Sequence, residues 1–469
     1  METYDIVVIG AGPGGYPAAI RAAQLGAKVA IIEREAVGGT CLNWGCIPTK
    51  TLIASATLYH RMVNAEALGI RAGAPAVDYA AMAKRKDEVV AKLRGGVETL
   101  LKGNGVTVLR GTGAFRGRNR IAVTPDGGGD PVEIAAGKTI VATGSTSVVP
   151  GFLPKHPRVV ESRAFLDLKS VPKRVLVLGG GVIGCEFACL LASLGVQVTV
   201  VELLEDILFM LDADVRKILR KQMEAVLGVR VMTGRPLEHV QASDRGVTGL
   251  CGGETLEADL LLCAIGRRPV TDGLALDRAG LATSEKGFVR VDEAGRTDVA
   301  TVYAIGDVTG GPQLAHAATS QGIVAAEDAC GHGRPRNESV IPACIFTSPE
   351  IGQVGLGEEE AARLGRKIQV GRFPFQSLGK ALASGEPEGF AKWVADAETG
   401  RLLGAAVVGP HATDLIAEAT AAIRAELTVR EIGRTVHAHP TLAEVWMEAA
   451  HAVHGESIHA APRKKVKAS

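Results

Sequence analysis

Hydrophobic residues in this chain occur as short runs that end in glycine-rich turns, and one such arrangement occurs twice. The apolar run Tyr4–Ile9 predicts a strand, the alanine-rich segment that ends at Leu25 predicts a helix, and Lys28–Ile32 predicts a second strand. The same order returns over residues 174–201, with a helix that ends near Leu194. Strands that alternate with helices in this way predict an α/β fold built on parallel sheets.

Each copy contains a dinucleotide-binding fingerprint, which is a glycine-rich turn between a strand and a helix. The glycines let the backbone approach a pyrophosphate, whose charge is stabilised at the helix N-terminus. An acidic residue 23 positions after the first glycine can bind the hydroxyls of an adenosine ribose. Two copies therefore predict two bound dinucleotides. The candidate residues are Gly10, Gly12, Gly15 and Glu33 in the first copy and Gly179, Gly181, Gly184 and Glu202 in the second.

Glu202 also bears on the choice between NAD and NADP. A carboxylate repels the 2′-phosphate of NADP, and no basic residue follows Glu202 until Arg216. The second fingerprint therefore favours NAD. The alternative is that Glu202 is only a solvated strand end.

A pair of cysteines, Cys41 and Cys46, lies just downstream of the first fingerprint. Five positions of regular helix span about 7.5 Å, whereas the Cα atoms of a disulfide lie about 4.4–6.8 Å apart. The pair therefore predicts a distorted helix start, with Gly45 as the flexible point. A zinc site would need four ligands, and no second pair completes one. A redox pair and two unrelated core thiols both remain open on this motif alone.

The composition is that of an ordinary globular protein, since 46% of the 469 residues are hydrophobic and 22% are charged. The length predicts about three domains. Lys and Arg number 52 against 51 Asp and Glu, so no net charge would recruit nucleic acid or a membrane surface.

Cysteine usage and the N-terminus predict a cytoplasmic protein. Eight cysteines are too few for a disulfide scaffold, so those outside the pair are expected to be reduced core thiols. The first strand starts near Tyr4, which leaves no room for a signal peptide. The apolar stretch Val175–Leu204 contains glycines and Glu186, which favours strand, turn, helix and strand over a membrane span. The basic end at 463–467 predicts a solvated tail.

Further segments resemble the pyridine nucleotide-disulfide oxidoreductase family, and the likeness covers nearly the whole chain. The matching segments are 111–113 (Gly-Thr-Gly), 142–144 (Ala-Thr-Gly), 264–269 (Ala-Ile-Gly-Arg-Arg-Pro), 301–307 (Thr-Val-Tyr-Ala-Ile-Gly-Asp) and 437–444 (His-Ala-His-Pro-Thr-Leu-Ala-Glu). The resemblance implies two Rossmann-like domains, for FAD and NAD, and an α+β interface domain that dimerises. The implied boundaries are 1–147 and 275–340 for the FAD domain, 148–274 for the NAD domain and 341–469 for the interface domain.

The resemblance also implies roles for single residues. The first fingerprint would bind FAD and the second NAD. Asp307 would hydrogen-bond the ribityl chain of FAD, although by itself it is equally an aspartate that caps a turn. Gly113 and Ala315 would contact FAD through their backbone, and Gly266 would contact NAD.

A redox disulfide needs a group that takes and returns protons, because the thiolate is the species that attacks. Histidine suits this task, and the resemblance selects His439, which directly precedes Pro-Thr. Glu444, five positions later, is expected to orient its ring. We interpret His437 as a surface or supporting residue. The alternative is a structural or adventitious cluster of His437, His439, His451, His454 and His459, around which no cysteine or carboxylate arrangement supports a metal site.

Lys50 and Glu186 form a second candidate pair, because the family pairs such residues where flavin and nicotinamide meet. Lys50 lies four residues beyond Cys46, and Glu186 lies on the helix of the second fingerprint. A positive charge there would stabilise a reduced, anionic flavin. Read separately, each is equally an ordinary charge on a helix surface.

The implied function is that of a flavoprotein that oxidises protein-bound dihydrolipoamide to lipoamide and transfers hydride to NAD+. In this route Cys41 exchanges with the substrate and Cys46 lies nearer the flavin. The expected partners are a second copy of the chain and a lipoylated domain of a 2-oxoacid dehydrogenase complex or of the glycine cleavage system.

Other functions compete with this one. A glutathione-type reductase would carry basic residues where Glu202 stands, and a mercuric reductase would add a C-terminal cysteine pair, whereas no cysteine follows Cys344. A redox-silent scaffold would not require Cys41, Cys46, His439 and Glu444.

Overall fold

The computed structural model describes residues 1–71, 73–333 and 340–460, and the predicted basic tail at 463–467 lies outside them. The strands in these residues are β1 (Glu2–Ile9), β2 (Val29–Glu33), β3 (Thr107–Gly117), β4 (Arg120–Pro125), β5 (Val132–Val141), β6 (Ser145–Ser147), β7 (Val159–Glu161), β8 (Arg174–Leu178), β9 (Gln197–Val201), β10 (Arg230–Met232), β11 (Leu237–Ser243), β12 (Gly246–Cys251), β13 (Glu254–Ala258), β14 (Leu260–Cys263), β15 (Arg267–Pro269), β16 (Val302–Ala304), β17 (Ala343–Ile345), β18 (Glu350–Gly355), β19 (Ile368–Pro374), β20 (Phe390–Asp396) and β21 (Leu402–Gly409).

The α-helices are α1 (Gly15–Gln24), α2 (Gly39–Trp44), α3 (Cys46–Val63), α4 (Tyr79–Gly103), α5 (Ser162–Leu166), α6 (Val182–Ser193), α7 (Ala213–Ala225), α8 (Leu276–Ala279), α9 (Ala315–Ala329), α10 (Glu358–Arg363), α11 (Gly379–Ala383), α12 (Ala412–Arg424), α13 (Val429–Arg434) and α14 (Glu444–Val453). Short 3₁₀-helices cover Ala65–Leu68, Gly306–Thr309 and Phe375–Ser377. None of the helices in the described residues is long and apolar enough to cross a membrane.

The first sheet has a parallel core in the order β3, β2, β1, β5 and β16, and β4 pairs antiparallel with β3 and β5. All five residues of β2 are buried, as expected for a strand of a parallel sheet that is covered on both faces. β1, α1 and β2 confirm the first predicted strand–helix–strand unit. β16 returns from much later in the chain to the edge of this sheet.

The second sheet is parallel throughout, in the order β10, β9, β8, β14 and β7. β8, α6 and β9 confirm the second predicted unit. The core beneath it contains an edge-to-face pair, Phe165 and Phe187, whose ring centroids lie 5.0 Å apart. Helix α3, which starts at Cys46, packs against α6 of this unit. The helix that follows the cysteines therefore contacts the helix that follows the second glycine turn.

The third sheet is antiparallel, in the order β17, β18, β21, β20 and β19. Trp393 of β20 and Trp446 of α14 are both fully buried, with ring centroids 4.7 Å apart. The Trp393 indole N–H donates to the Trp446 carbonyl at 3.0 Å. This packing fixes α14, whose first residue is Glu444, to the sheet.

A buried charge cluster joins the second and third sheets. Lys392 of β20 is completely buried, and its ammonium bonds Asp212 at 2.6 Å, Glu358 at 2.8 Å and Asp214 at 3.0 Å. The three carboxylates lie close enough to share a metal ion, but this ammonium already lies among them. Burial alone would lower the pKa of Lys392, but the bonds to the carboxylates raise it. The lysine is therefore charged and fully paired.

We predict that Lys392→Met lowers the free energy of unfolding by about 3–5 kcal/mol, because it leaves the buried Asp212 carboxylate without its ion-pair partner. Lys367→Met is the matched control, since Lys367 directly precedes the neighbouring strand β19 and its side chain is 82% exposed. That control should change stability by less than about 0.5 kcal/mol. Urea unfolding of both variants measures the difference. Equal stability of the two variants would contradict the account of this cluster.

Candidate active site

The two cysteines lie at a break between two helices. Helix α2 ends at Trp44, Gly45 has non-helical angles of φ −143° and ψ −106°, and α3 begins at Cys46. A Cβ at Gly45 would lie 3.0 Å from the Thr40 carbonyl oxygen, so the chain is closely packed here. The predicted distortion of the helix start is therefore confirmed. It places the Cys41 and Cys46 thiols close enough for each to shift the pKa of the other.

The structure holds this pair in the dithiol form, and none of the eight cysteines, all of which are described, is disulfide-bonded. Cys46 is exposed, whereas Cys41 is half-buried. The hydrogen bond from Cys41 lowers the pKa of Cys46 to about 7, and the nearby Lys50 charge acts in the same direction. The pKa of Cys41 is raised, first by that same bond and then by burial. One thiol of the pair is therefore readily ionised and the other keeps its proton.

Lys50 and Glu186 form an ion pair between α3 and α6. The Lys50 Nζ lies 2.7 and 2.9 Å from the two carboxylate oxygens of Glu186, which is 4% exposed. A third residue, Phe346, completes the arrangement. Its backbone N–H donates to Glu186 at 2.9 Å, and the Lys50 ammonium lies 4.6 Å from its ring centroid. Neither Lys50 nor Glu186 is an unpaired charge on a helix surface.

His439 and Glu444 also form a direct pair. The His439 Nδ1 lies 2.9 Å from one carboxylate oxygen of Glu444, and the Thr441 backbone N–H donates to the other at 2.8 Å. Burial alone would raise the pKa of Glu444, but the Thr441 amide and His439 hold it below its usual value. The carboxylate is therefore ionised and orients the ring. The imidazole remains largely exposed, with 76% of its side-chain surface open.

Among the described residues, no three of the five histidines between 437 and 459 bring their ring nitrogens within 4.8 Å of one another. His459 pairs with Glu448 at 2.7 Å. Of the two alternatives for His437, a surface or a supporting residue, the surface position is excluded because its side chain is only 6% exposed. The sequence could not decide between them because Glu418, which pairs with this ring, lies on α12, in a different part of the chain.

The two glycine turns have nearly the same geometry. Gly10 and Gly179 have φ of +101° and +111°, and a Cβ on either would lie 2.5 Å from a carbonyl oxygen of the neighbouring strand connection. A Cβ at Gly15 or Gly184 would lie 1.9 Å from the carbonyl oxygen of the first glycine of its turn. Both turns therefore require glycine at these positions. A Cβ at Gly181 would meet no atom within 4 Å, so the space at the start of α6 is open.

The two acidic residues are held by matching contacts. Glu33 accepts backbone N–H groups from Ala11 and Glu35, both at 2.8 Å. Glu202 accepts from Gly180 at 2.6 Å and from Leu204 at 2.8 Å. Each carboxylate is thus fixed beside its glycine turn, where the ribose of a dinucleotide would lie. Glu202 is more than a solvated strand end.

Asp307 lies in the turn after β16 and belongs to a network that sequence reasoning did not predict. The buried Ser145 hydroxyl donates to Asp307 at 2.5 Å, and the Arg267 guanidinium donates to that hydroxyl at 2.7 Å. Arg267 lies in the matched segment 264–269, but nothing in that segment predicts its partner. Separately, Asn43 of α2, between the two cysteines, has a buried carbonyl oxygen, Oδ1, without a hydrogen-bond partner among the described residues.

The other three residues predicted to contact FAD or NAD differ in how closely the neighbouring atoms pack around them. A Cβ at Gly113 on β3 would lie 3.1 Å from Ile32, so this position is packed against the first sheet. Ala315 is the first residue of α9. Gly266 has φ +133°, and a Cβ there would meet nothing within 4 Å.

The structure does not join the histidine pair to the cysteine pair within one chain. Helix α14, with Glu444, packs on α13, β19 and β20, whereas α2 packs on α3, α4 and α5. No hydrogen bond or ion pair links His439 or Glu444 to Cys41 or Cys46.

The chain matches two family models. Residues 4–322 match the pyridine nucleotide-disulphide oxidoreductase model, and residues 341–450 match the dimerisation domain of the same family. The chain therefore belongs to the pyridine nucleotide-disulphide oxidoreductase family.

Within that family, the chain is similar over nearly its full length to dihydrolipoyl dehydrogenases. The chain is 43% identical to the dihydrolipoyl dehydrogenase of Chlamydia muridarum over 99% of this chain and 100% of the relative. It is 45% identical to that of Thermus scotoductus over 98% and 99% of the two chains.

Solved structures agree with this assignment. LpdA from Mycobacterium tuberculosis superposes with a TM-score of 0.90 at 30% identity, covering 96% of this chain and 99% of that chain. The HOCl-induced flavoprotein disulfide reductase RclA from Escherichia coli, as its Cu(II) complex, gives a TM-score of 0.87 at 29% identity over 96% and 99% of the chains. The mixed α/β fold is thus that of the flavoprotein disulfide reductases, and the cofactors of this enzyme type are FAD and NAD.

We predict that one thiol of the reduced pair titrates near pH 7 and that Lys50→Met moves this midpoint upward, because the positive charge that favours the thiolate is lost. This ionisation appears as a step in the thiolate absorbance at 240 nm, measured against pH in the fully reduced protein. Cys46→Ser should remove it, whereas Cys330→Ser, which replaces a distant half-buried thiol, should leave it unchanged. A step near pH 7 that persists in Cys46→Ser would contradict the assignment of the ionised thiol.

Proposed function

We propose that this protein oxidises the dithiol of protein-bound dihydrolipoamide to the lipoamide disulfide and transfers the electrons to NAD+. The observation that carries the proposal is the hydrogen-bonded Cys41–Cys46 pair at the α2–α3 break, beside the ion pair of Lys50 and Glu186. That ion pair links the helix after the cysteines to the helix of the second glycine turn. A thiol couple is therefore held between the two dinucleotide-binding units.

The thiol chemistry starts with the Cys41–Cys46 disulfide and ends with the dithiol. His439 takes a proton from one substrate thiol, and the resulting thiolate attacks the Cys41 sulfur. The bond between the cysteines breaks, and Cys46 leaves as a thiolate. The second substrate thiol then attacks the substrate sulfur bound to Cys41. The cyclic disulfide of lipoamide forms, and Cys41 leaves with the second proton.

The electrostatics of the pair suit this end state. The step produces a protonated Cys41 and an ionised Cys46, which is the order of the two thiols' pKa values. Glu444 is ionised beside His439 and stabilises the imidazolium that forms. The surroundings of Cys41, Cys46 and His439 thus each favour the protonation state that the reaction leaves on that residue.

The residues of the two glycine turns suit the two cofactors. Gly10, Gly12, Gly15 and Glu33, with Gly113, Asp307 and Ala315, would hold FAD, and Gly179, Gly181, Gly184 and Glu202, with Gly266, would hold NAD. Bound FAD supplies two-electron chemistry that connects a dithiol to a nicotinamide. Lys50 would face the flavin, and Glu186, which holds the ammonium in place, would lie towards the nicotinamide.

We further propose that the enzyme is a homodimer whose active site uses Cys41 and Cys46 from one subunit and His439 and Glu444 from the other. The exposed imidazole, and its distance in the fold from α2, support an arrangement completed by a second chain.

The lipoylated partner would be a domain of a 2-oxoacid dehydrogenase complex or of the glycine cleavage system. The cysteine usage of the sequence, with eight cysteines in 469 residues, supports a reducing compartment, the cytoplasm.

The domain division is retained as part of the proposal, with the FAD domain at 1–147 and 275–340, the NAD domain at 148–274 and the interface domain at 341–469. The pairing of β16 with β5 supports the two-part FAD domain, because it returns the chain to the first sheet.

Subunit complementation tests the proposed site. We predict that Cys46→Ser and His439→Gln each abolish lipoamide reduction and dihydrolipoamide oxidation. After the two variants are mixed and allowed to exchange subunits, activity should return. The mixed dimer contains one site with both intact halves, so it should have about half the activity of the unmutated dimer, since separate sites contribute independently.

The oxidation of NADH by ferricyanide serves as the control, because a one-electron acceptor does not need the histidine. It should be retained in His439→Gln. Full lipoamide activity of either single variant would contradict the proposed chemistry. Inactive single variants with no recovery on mixing would contradict the shared site.

A further inference from the structure

The first histidine of the segment 437–444, His437, has an acceptor at each of its two ring nitrogens. Its Nε2 lies 2.8 Å from a carboxylate oxygen of Glu418, and its Nδ1 lies 2.9 Å from the Thr435 carbonyl oxygen. Its side chain is only 6% exposed, so water does not replace either contact. The ring therefore spans two acceptors in a largely buried position.

These contacts fix the protonation state of the ring. A neutral imidazole has a single N–H and can donate to only one of two acceptors. Its other nitrogen would direct a lone pair at an oxygen lone pair, at a buried site where that is costly. An imidazolium donates at both nitrogens and satisfies both oxygens. In keeping with this, the bond to Glu418 raises the pKa of His437.

The ring holds a segment that is otherwise little anchored on its N-terminal side. Glu418 lies on α12, and Thr435 is the C-cap residue that directly follows α13. The segment then runs through Val436, whose surface is 93% exposed, to His439 and the start of α14. On the C-terminal side Glu444 holds His439 directly. His437 supplies the matching attachment two residues before His439.

The charged groups that face His437 come from two helices. Glu418 of α12 binds the ring, and Glu444 of α14 lies close enough to interact with its charge. Both are carboxylates, so both favour the imidazolium. Glu444 therefore interacts with the charge of His437 and also hydrogen-bonds the ring of His439, which it orients.

We propose that His437 is a charged anchor, held by Glu418 and the Thr435 carbonyl, that positions His439 for proton transfer to and from the substrate dithiol. This proposal rests on the proposed function, because it assigns His437 a task in that reaction. His437 is a positioning residue, since it acts through His439 and need not touch the substrate.

Activity measurements on the holoenzyme separate positioning from general damage. We expect His437→Gln and Glu418→Gln to lower kcat/KM for dihydrolipoamide about tenfold or more, because small displacements of a catalytic group cost up to about a hundredfold. The oxidation of NADH by ferricyanide should be unchanged. His411→Gln is the matched control, because its imidazole lies at the start of α12 and is 60% exposed. It should leave both activities unchanged.

The pH dependence of stability tests the charge itself. Because the folded-state pKa of His437 is raised, the stabilisation is complete below the unfolded value of about 6.5 and is lost as pH rises through the folded value. The fall in melting temperature caused by His437→Gln should therefore be largest near pH 6 and smaller at higher pH. Glu418→Gln keeps the shape of the side chain but removes its charge, and the fall in melting temperature should again be largest near pH 6.

In ¹⁵N spectra of histidine-labelled enzyme, one imidazole that is doubly protonated at pH 7 should disappear in His437→Gln.

The outcomes separate this inference from the proposed function. Unchanged kcat/KM in His437→Gln, or a neutral His437 in the ¹⁵N spectra, overturns the anchor alone when His439→Gln is still inactive with lipoamide. A parallel loss of the ferricyanide reaction also overturns it, because the effect is then general. Full lipoamide activity in His439→Gln overturns the proposed function, and the anchor with it.

Discussion

The contact between the Cys41 and Cys46 sulfurs is the interaction on which the rest of the structure depends. In an uninterrupted helix these residues would lie too far apart and point in different directions. The break at Gly45 ends one helix and starts the next, which turns a five-residue spacing into a direct contact. That contact makes the thiols unequal, since one donates a proton that stabilises the charge of the other. Thiol exchange needs this inequality, because it requires a leaving thiolate and a thiol that keeps its proton.

Around this pair, the ion pair of Lys50 and Glu186 relates the two dinucleotide-binding units to each other. Lys50 lies on the helix that begins at Cys46, and Glu186 lies on the helix that follows the second glycine turn. Phe346 comes from the segment after β17 and contacts both members of the pair. Three parts of the chain therefore meet at a single charged contact. The buried cluster around Lys392 provides a second connection, between the second and third sheets.

The parts of the structure that sequence could predict are those determined by local pattern. The strand–turn–helix units follow from hydrophobic runs and from glycines that a close backbone approach requires, and the irregular helix start at Gly45 follows from the cysteine spacing. The pairing of His439 with Glu444 is also local, at a separation of five residues. In contrast, the contacts of Phe346 with Lys50 and Glu186, the Ser145–Asp307–Arg267 network and the partner of His437 depend on how distant segments pack. A lysine in the middle of an apolar strand gives no sign, by itself, that three carboxylates surround it.

The central claim is that Cys41 and Cys46 are the couple that exchanges electrons with the substrate, and disulfide mapping tests it most directly. The isolated oxidised holoenzyme is alkylated and digested, and the peptides are identified by mass spectrometry before and after one equivalent of dihydrolipoamide is added without oxygen. The account predicts a Cys41–Cys46 disulfide before addition, two alkylated thiols at these positions after addition and one equivalent of lipoamide. Free thiols at both positions before addition, or lipoamide formed while this disulfide stays intact, would contradict it.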